Sequence, residues 1–324
     1  MQTSDDVARI PARATKALIA DALAAAGLPQ PDAARCAELM SEADLTGADG
    51  HGIFRLPQYV RRLKAGGFNK RPNITVSRTA PATALVDGDN GMGHLVMSRA
   101  ASEAVAMARQ SGAAWVGVRR SNHAGPAGLY AEMPAAAGMV GLYAAVANAN
   151  HMAAWGGADL LLGTNPLAIA VPTGGAPLVF DMATSIVAYG TVKKYALRGL
   201  RMPEGWFVDA ATGASITDPA KSAAGVLQPM GEYKGSGLCL DDRARCRRAQ
   251  RRGVRPRRGR FQRRRRQRDQ YRTLYRCRRH RAVRAAADFH GRSRSAHLRF
   301  ARLAASPGLR RDPPAGRAPR RLLR

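Results

Sequence analysis

Trp155–Ser185 reads WGGADLLLGTNPLAIAVPTGGAPLVFDMATS, and the chain can be ordered around this stretch. It holds two apolar runs of strand type, Leu167–Val171 and Pro177–Phe180. Gly, Pro, Asn and Thr flank both runs, and these residues punctuate turns. Asp181 stands just past the second run, followed by the small Ala183, Thr184 and Ser185. An acid where a strand gives way to a helix is a common ligand contact in α/β proteins.

The same alternation of strands and helices extends toward the N-terminus. Ala12–Ala26 reads as a helix, with Leu18, Ile19 and Leu23 at helical spacing and Gly27 as its stop. Pro29 and Pro31 separate it from a second helix at about Asp32–Leu45, ended by Gly47 and Gly50. A third helix starts near Ile53–Phe54, because Pro57 fits a first turn and would break a middle one. Arg55 and Tyr59 then share one face, and His51 stands at its entrance. A guanidinium forks onto a carboxylate as an ammonium cannot, so this trio suits a small acid. The same residues also read as a surface Arg, an interface Tyr and a turn His.

Further on, Ala84–Asp87 and Trp115–Val118 read as strands, with a helix at Leu95–Arg109 between them. The GDNGMG that precedes this helix is spaced G-x-x-G-x-G, not as the dinucleotide fingerprint, and there is no phosphate-binding P-loop. A nucleotide would need another architecture. His123 follows Trp115–Val118 and precedes a helix at Leu129–Ala136. An imidazole titrates near neutral pH, which suits acid–base work, although a lone His is more often structural. Met139–Val146 reads as a strand, followed by a polar loop carrying Asn148, Asn150 and His151. Past the central stretch, a helix at about Ile186–Arg198 carries Lys193, Lys194 and Arg198. These cations read as a solvated face or as partners of a cofactor phosphate. Trp206–Asp218 reads as a polar excursion.

Four motifs stand in order: DGHGIFRLPQY (Asp49–Tyr59), SNHAGPAGLY (Ser121–Tyr130), GTNPLAIAVP with FDMATS, and YKGSGL (Tyr233–Leu238). Together they resemble the malate/L-lactate dehydrogenase family, which carries NAD(P) without a Rossmann fold, over about residues 10–240. The resemblance implies an α/β fold with a mixed sheet and an N-terminal helical subdomain. It implies hydride transfer between NAD or NADP and a small 2-hydroxy, 2-oxo or imino acid such as malate or lactate, by a homodimer. It makes His123 the proton donor or acceptor and His51 a second acid–base or polarising group. Asp181 would orient a histidine or contact the cofactor. Arg55, Tyr59 and Asn165 would hold the substrate. Ala124, Gly125, Asn148, Thr164, Asp181, Met182, Ala183, Lys234 and Gly235 would hold the cofactor, with Lys234–Gly235 in a turn. No metal is implied. The family commonly has Ser immediately before this first His, where this chain has Gly50. A Ser–His–Asp relay is thereby put in question, though the His itself is not.

The formal charge of +29 over 324 residues is uneven. Residues 241–324 hold 31 Arg, 5 Asp and no Lys or Glu, so +26 belongs to them and +3 to the rest. This tail also lacks Asn, Ile and Met. Such a bias fits a GC-rich gene read out of frame. AQRRGVRPRR (Ala249–Arg258) can be encoded so that the next frame reads LSGAAFGRDV, and DQYRTLYR (Asp269–Arg276) so that it reads TNTGHFI. Both hidden peptides resemble what the family carries there. The alternative is an Arg-rich nucleic-acid-binding arm. Such arms usually interleave aromatic residues for base stacking, and the aromatics here are unpatterned. The expected organisation is residues 1–80 as a helical, substrate-side subdomain, 81–240 as an incomplete cofactor domain, and 241–324 as a disordered, out-of-frame tail. No apolar core of a signal peptide stands at the N-terminus, and no C-x-x-C pair joins Cys36, Cys239, Cys246 and Cys277. No run of about 18 apolar residues would span a membrane. A cytoplasmic location is expected, with no specific nucleic-acid partner.

Overall fold

Alanine sets how closely the first two helices meet. The structure, a computed structural model, describes residues 10–147 and 149–241. The expectations for Asn148 and for the tail beyond Asp241 therefore lie outside the described residues. α1 (Ala12–Ala25) packs along α2 (Gln30–Leu45). Ile19 and Leu23, one turn apart on α1, are fully buried against Ala33, Cys36, Ala37 and Met40 of α2. Burying each aliphatic side chain contributes about 1.5–3 kcal/mol. α2 begins two residues before Asp32, because Pro29 becomes its N-cap and Pro31 falls in its first turn. A proline is tolerated there, since that N–H has no partner within the helix. A 3-10 turn at Ile53–Arg55 leads into α3 (Leu56–Lys64), with Pro57 in the first turn as expected. Tyr59 and Leu63 of α3 close the same core.

β1 (Thr75–Ala80), β2 (Thr83–Asp87) and β3 (Trp115–Arg119) form a mixed sheet, antiparallel at β1–β2 and parallel at β2–β3. A parallel pair needs a crossover, and α4 (Gly93–Ser111) supplies it. Val96 and Ala100 of α4 pack on Val86 of β2.

β4 (Gly141–Ala144), β5 (Leu167–Val171) and β6 (Leu178–Met182) form an antiparallel sheet in sequence order. α5 (Gly128–Ala136) covers one face of it. Ala127, Ala131 and Ala135, spaced one helical turn apart, meet Ala168 and Ala170. These small side chains bring backbones together: a Cβ on Gly141 would lie 1.9 Å from the Ala131 carbonyl oxygen. On the other face Leu142, Ile169 and Phe180 form a cross-strand row. Leu142 is 65%, Phe180 50% and Leu178 68% exposed, so this apolar face stays open among the described residues.

Several boundaries differ from the sequence reading. The second apolar run is displaced, so that Asp181 lies inside β6 opposite Ala168 rather than past its end. The ladder continues to Met182, paired with Leu167, because backbone pairing and not apolarity ends a strand. Met139–Val146 shrinks to β4. α6 (Tyr189–Leu197) starts later than Ile186. The polar excursion at Trp206–Asp218 contains β7 (Phe207–Asp209), paired with β8 (Gly225–Leu227). Phe207 is buried there against Val192 and Leu227. Residues 233–241 are helical, so Lys234 and Gly235 lie in a helix and not in a turn. Packing outweighs the low helix propensity of glycine, since a Cβ on Gly235 would lie 2.2 Å from the Met230 carbonyl oxygen.

Gly141→Ala places a methyl inside the α5 backbone. Overpacking usually costs about 1–3 kcal/mol, and a backbone atom cannot move aside as a side chain can. Denaturant unfolding should show a loss at or above the top of that range. A substitution neutral to within about 0.5 kcal/mol would contradict the α5–β4 approach.

Candidate active site

The loop after α2 is tied back onto α2. The Asp44 carboxylate accepts the Ile53 N–H at 2.9 Å. A Cβ on Gly52 would lie 1.9 Å from Asp44 Oδ1, so only glycine fits beside this acid. The tether sets His51 and the 3-10 turn that carries Arg55. Arg55 Nε donates to the Gly50 carbonyl at 2.9 Å, and its Nη1 donates to Gln58 Oε1 at 3.0 Å. Its Nη2 lies 3.3 Å from where a Cβ on Gly190 would stand, at the start of α6. Among the described residues no carboxylate pairs with Arg55 within 4.0 Å, so part of its fork is free for an acid. Asp49 Oδ1 takes an ion pair from Lys194 of α6 at 2.6 Å. That bond, before charge attraction, holds the Asp49 carboxyl below its usual range. Lys194 thus belongs to the frame of the site rather than to a free cationic face. At Gly50 an added Cβ would meet nothing within 4 Å, so a serine would fit there.

His123 is fixed from two sides. Tyr59 of α3 brings its hydroxyl to 2.5 Å from His123 Nδ1. His51 stacks on the His123 ring, with centroids 5.6 Å apart and planes 5° apart. Asn122 Nδ2 donates to the Asn90 and Gly91 carbonyls, at 3.1 and 2.9 Å, and to Asn90 Oδ1 at 3.0 Å. Arg62 Nη2 donates to Asn122 Oδ1 at 3.2 Å. Arg120, just before this loop, holds φ at 51°, as do Asp89 at 45° and Asn90 at 60° facing it. Left-handed backbone in residues with side chains is strained and persists only where the surroundings enforce it.

The electrostatics favour neutral imidazoles. His123 keeps an exposed surface while Tyr59, His51, Arg55 and Arg62 stand around it. Loss of hydration, then the Arg55 charge, then His51 hold its pKa well below 6.5. His51 is lowered to about 4, by burial and then by Arg55. Burial raises the Tyr59 phenol, which therefore stays protonated at neutral pH.

The remaining expected residues form a second group. Thr164 and Thr184 meet through Thr184 N–H to the Thr164 carbonyl at 2.9 Å, next to Met182 and Ala183. Gly235 approaches the carbonyl of Thr184 itself. Lys234 is exposed. Asp181 Oδ2 accepts the Gly128 N–H at 2.7 Å, at the start of α5 and just after Ala124 and Gly125. Its carboxylate caps α5, and its described hydrogen bonds reach no histidine. Asn165 is fully buried, with φ at 24°. Its Oδ1 accepts the Ala147 N–H at 3.1 Å, and its Nδ2 donates to Cys239 at the carbonyl and at Sγ. The structure therefore places Asn165 in the interior. Its amide is engaged at both ends, by Ala147 and by Cys239. His151, read as local, stacks on Tyr189 at 4.1 Å, and Lys193 lies 5.9 Å over that ring.

The sequence reading missed His94 and Gly190. His94 touches the edge of the Tyr59–His123 pair, and only its place after G-x-G at a helix start could have signalled it. Gly190 had no local signal, because what it accommodates lies far away in the chain.

A sequence model described as malate/L-lactate dehydrogenase matches residues 10–241. L-sulfolactate dehydrogenase of Methanocaldococcus jannaschii is 40% identical over 226 residues, which are 69% of this chain and 65% of that protein. Malate dehydrogenase of Pyrococcus abyssi is 38% identical over 244 residues, 73% of this chain and 67% of that one. The crystal structure of a dehydrogenase from Sinorhizobium meliloti superposes with a TM-score of 0.71 at 34% identity, over 75% of this chain and 71% of that chain. The chain thus spans about two thirds of the length of the relatives it matches.

The depressed histidines set a pH dependence of stability. His51 and His94 ionise near 4 in the folded chain and near 6.5 when unfolded. As pH falls below about 6.5 the unfolded chain binds protons first, so stability present above that pH is lost down to about 4. The melting temperature should fall across this window, and more shallowly in His94→Leu. Equal slopes in both proteins would show that His94 does not titrate as a buried group.

Proposed function

This chain belongs to the malate/L-lactate dehydrogenase family, and from that premise we propose that its fold serves hydride transfer between NAD or NADP and a small 2-hydroxy or 2-oxo acid, malate and lactate included. The observation that carries the reading is the convergence of an unpaired Arg55, the His51–His123 stack and the Tyr59–His123 hydrogen bond. The acid's carboxylate lies in the free fork of Arg55. His123, neutral at working pH, takes the hydroxyl proton on Nε2, and its Nδ1 is held by the Tyr59 hydroxyl. His51 is the flanking polarising group. The substrate's C2 hydrogen leaves with its electron pair, and a 2-oxo acid results. When bound, NAD(P) would supply the redox chemistry as acceptor of that hydride. In the reverse direction the bound carboxylate offsets the Arg55 charge, so the His123 pKa rises and the ring can return the proton.

The cofactor fits the second group of residues. Gly125 holds φ at 82°, and an added Cβ there would meet only His94 within 4 Å, so its backbone can approach a flat ring. Ala124, Thr164, Met182, Ala183, Lys234, Gly235 and the carboxylate of Asp181 complete this proposed cofactor set, with Asn148. Asn165 belongs with Arg55 and Tyr59 to the proposed substrate set, held from the interior by Ala147 and Cys239, and Tyr59 acts through His123. The remaining parts of the reading are a homodimer and a cytoplasmic location. No helix among the described residues is long and apolar enough to cross a membrane.

We also read residues 241–324 as an out-of-frame translation that replaces the end of the catalytic domain. Two observations support this: the match stops at residue 241, and the β4–β5–β6 sheet leaves an apolar face open. An Arg-dense segment offers little apolar area to cover that face, and burial is worth about 25 cal/mol per Å².

His123→Ala should lower turnover by about 10²–10⁴-fold in the frame-restored chain. Near-native turnover would remove His123 from the chemistry. Arg55→Lys keeps the charge but loses the fork, so KM for the 2-oxo acid should rise and kcat/KM should fall. Unchanged constants, even in Arg55→Ala, would mean that the carboxylate is held elsewhere. The chain as given should show no NAD(P)H oxidation with a panel of 2-oxo acids, and the frame-restored chain should be active. Its tail should bind nucleic acid without sequence preference and with steep salt dependence. Dehydrogenase activity of the 324-residue product would defeat the frame argument.

A further inference from the structure

His94 follows the glycine-rich GDNGMG, which carries no nucleotide fingerprint, and stands in the first turn of α4. It is 0% exposed, and among the described residues neither ring nitrogen has a hydrogen-bond partner. A buried polar ring without partners is uncommon and unfavourable, because the water it gave up is not replaced. Leucine or methionine would fill the position without that cost. A reason other than packing is therefore needed.

The surroundings supply one. The His94 and Tyr59 rings meet edge to face, with centroids 5.6 Å apart and planes at 85°. Tyr59 holds His123 Nδ1. Beside it, a Cβ on Gly93 would lie 2.2 Å from the Asn122 carbonyl oxygen and 2.5 Å from that of His123, so α4 abuts the very loop that carries His123. His94 Nε2 lies 3.2 Å from where a Cβ on Gly125 would stand, two residues past His123. One five-membered ring thus wedges between the phenol and the His123 loop.

We propose that His94 is a positioning residue: it fixes the Tyr59 ring so that the phenol addresses His123 Nδ1, which leaves Nε2 as the nitrogen that exchanges a proton with substrate. The inference rests on the reading of His123 as the acid–base group. Arg55, Arg62, His51 and Tyr59 also face His123 and are unchanged in both His94 variants.

The test uses the full chain labelled with ¹⁵N-histidine, comparing wild type, His94→Leu and His94→Phe. Nitrogen shifts report the His123 tautomer and its titration, His123→Ala assigns the signals, and none of this needs turnover. Wild type should show one tautomer. His94→Leu should show a mixture, with its midpoint moved by about half a unit or more, and His94→Phe, which keeps a ring edge, should partly restore one tautomer. In the frame-restored enzyme, His94→Leu should lower kcat about 10-fold or more, while KM for the 2-oxo acid stays within about threefold. A wild-type tautomer and titration in His94→Leu, with any change confined to melting temperature, overturns the proposal. If His94→Leu does not fold, His94→Phe decides: a wild-type spectrum supports placement by the ring, and a His123 mixture equal to that of Tyr59→Phe overturns it. If His123→Ala keeps native turnover, the acid–base reading falls while the nitrogen shifts still report whether His94 orders His123.

Discussion

The hydrogen bond between Tyr59 and His123 joins two parts of the chain that also meet through the packing of α2 on α5. Tyr59 belongs to α3, whose apolar face completes the α1–α2 core. His123 belongs to the loop after β3, whose shape is set by α4 and by the turn at Asp89–Asn90. Neither residue orients the other unless both units are folded. A hydroxyl can donate or accept, so this partner serves the imidazole in either of its charge states. An Asp in the same place would favour the imidazolium and raise the pKa; a phenol leaves burial and Arg55 free to keep the ring neutral.

Around this bond the structure separates charge from proton transfer. Arg55 has its Nε and one terminal nitrogen tied down within the chain, and its remaining capacity faces α6. The carboxylates nearby are already engaged, Asp44 on a backbone N–H and Asp49 on Lys194. The site thus has an unneutralised cation beside weakly basic histidines. An anionic substrate is the group that balances it, and its binding and the protonation of His123 are coupled through the same charge.

Some of this could be read directly along the chain. Arg55 and Tyr59 were placed on one face by helical spacing and by Pro57, and the structure keeps them there. Apolar periodicity located α1, α2 and β5, because these elements bury a regular stripe or row. It failed where backbone pairing decides, since it puts Asp181 outside a strand that includes it. The turn that the resemblance implies for Lys234–Gly235 is helical. The motif puts Asn165 in the substrate set, and its amide is held by Ala147 and by Cys239, a residue 74 positions away. No local pattern shows that partner.

The sequence by itself determined the family, the α/β class, the change of character after residue 240, and which residue types carry acid–base and anion chemistry. Those are properties of composition, period and motif order, all of which are local. Only the tertiary structure decided which of those residues meet. It stacked His51 on His123, set Gly190 against Arg55 and, among the described residues, buried His94 without a hydrogen-bond partner beside Tyr59 and left one face of the β4–β5–β6 sheet open. Each is a contact between residues distant along the chain, fixed by packing that no single segment specifies.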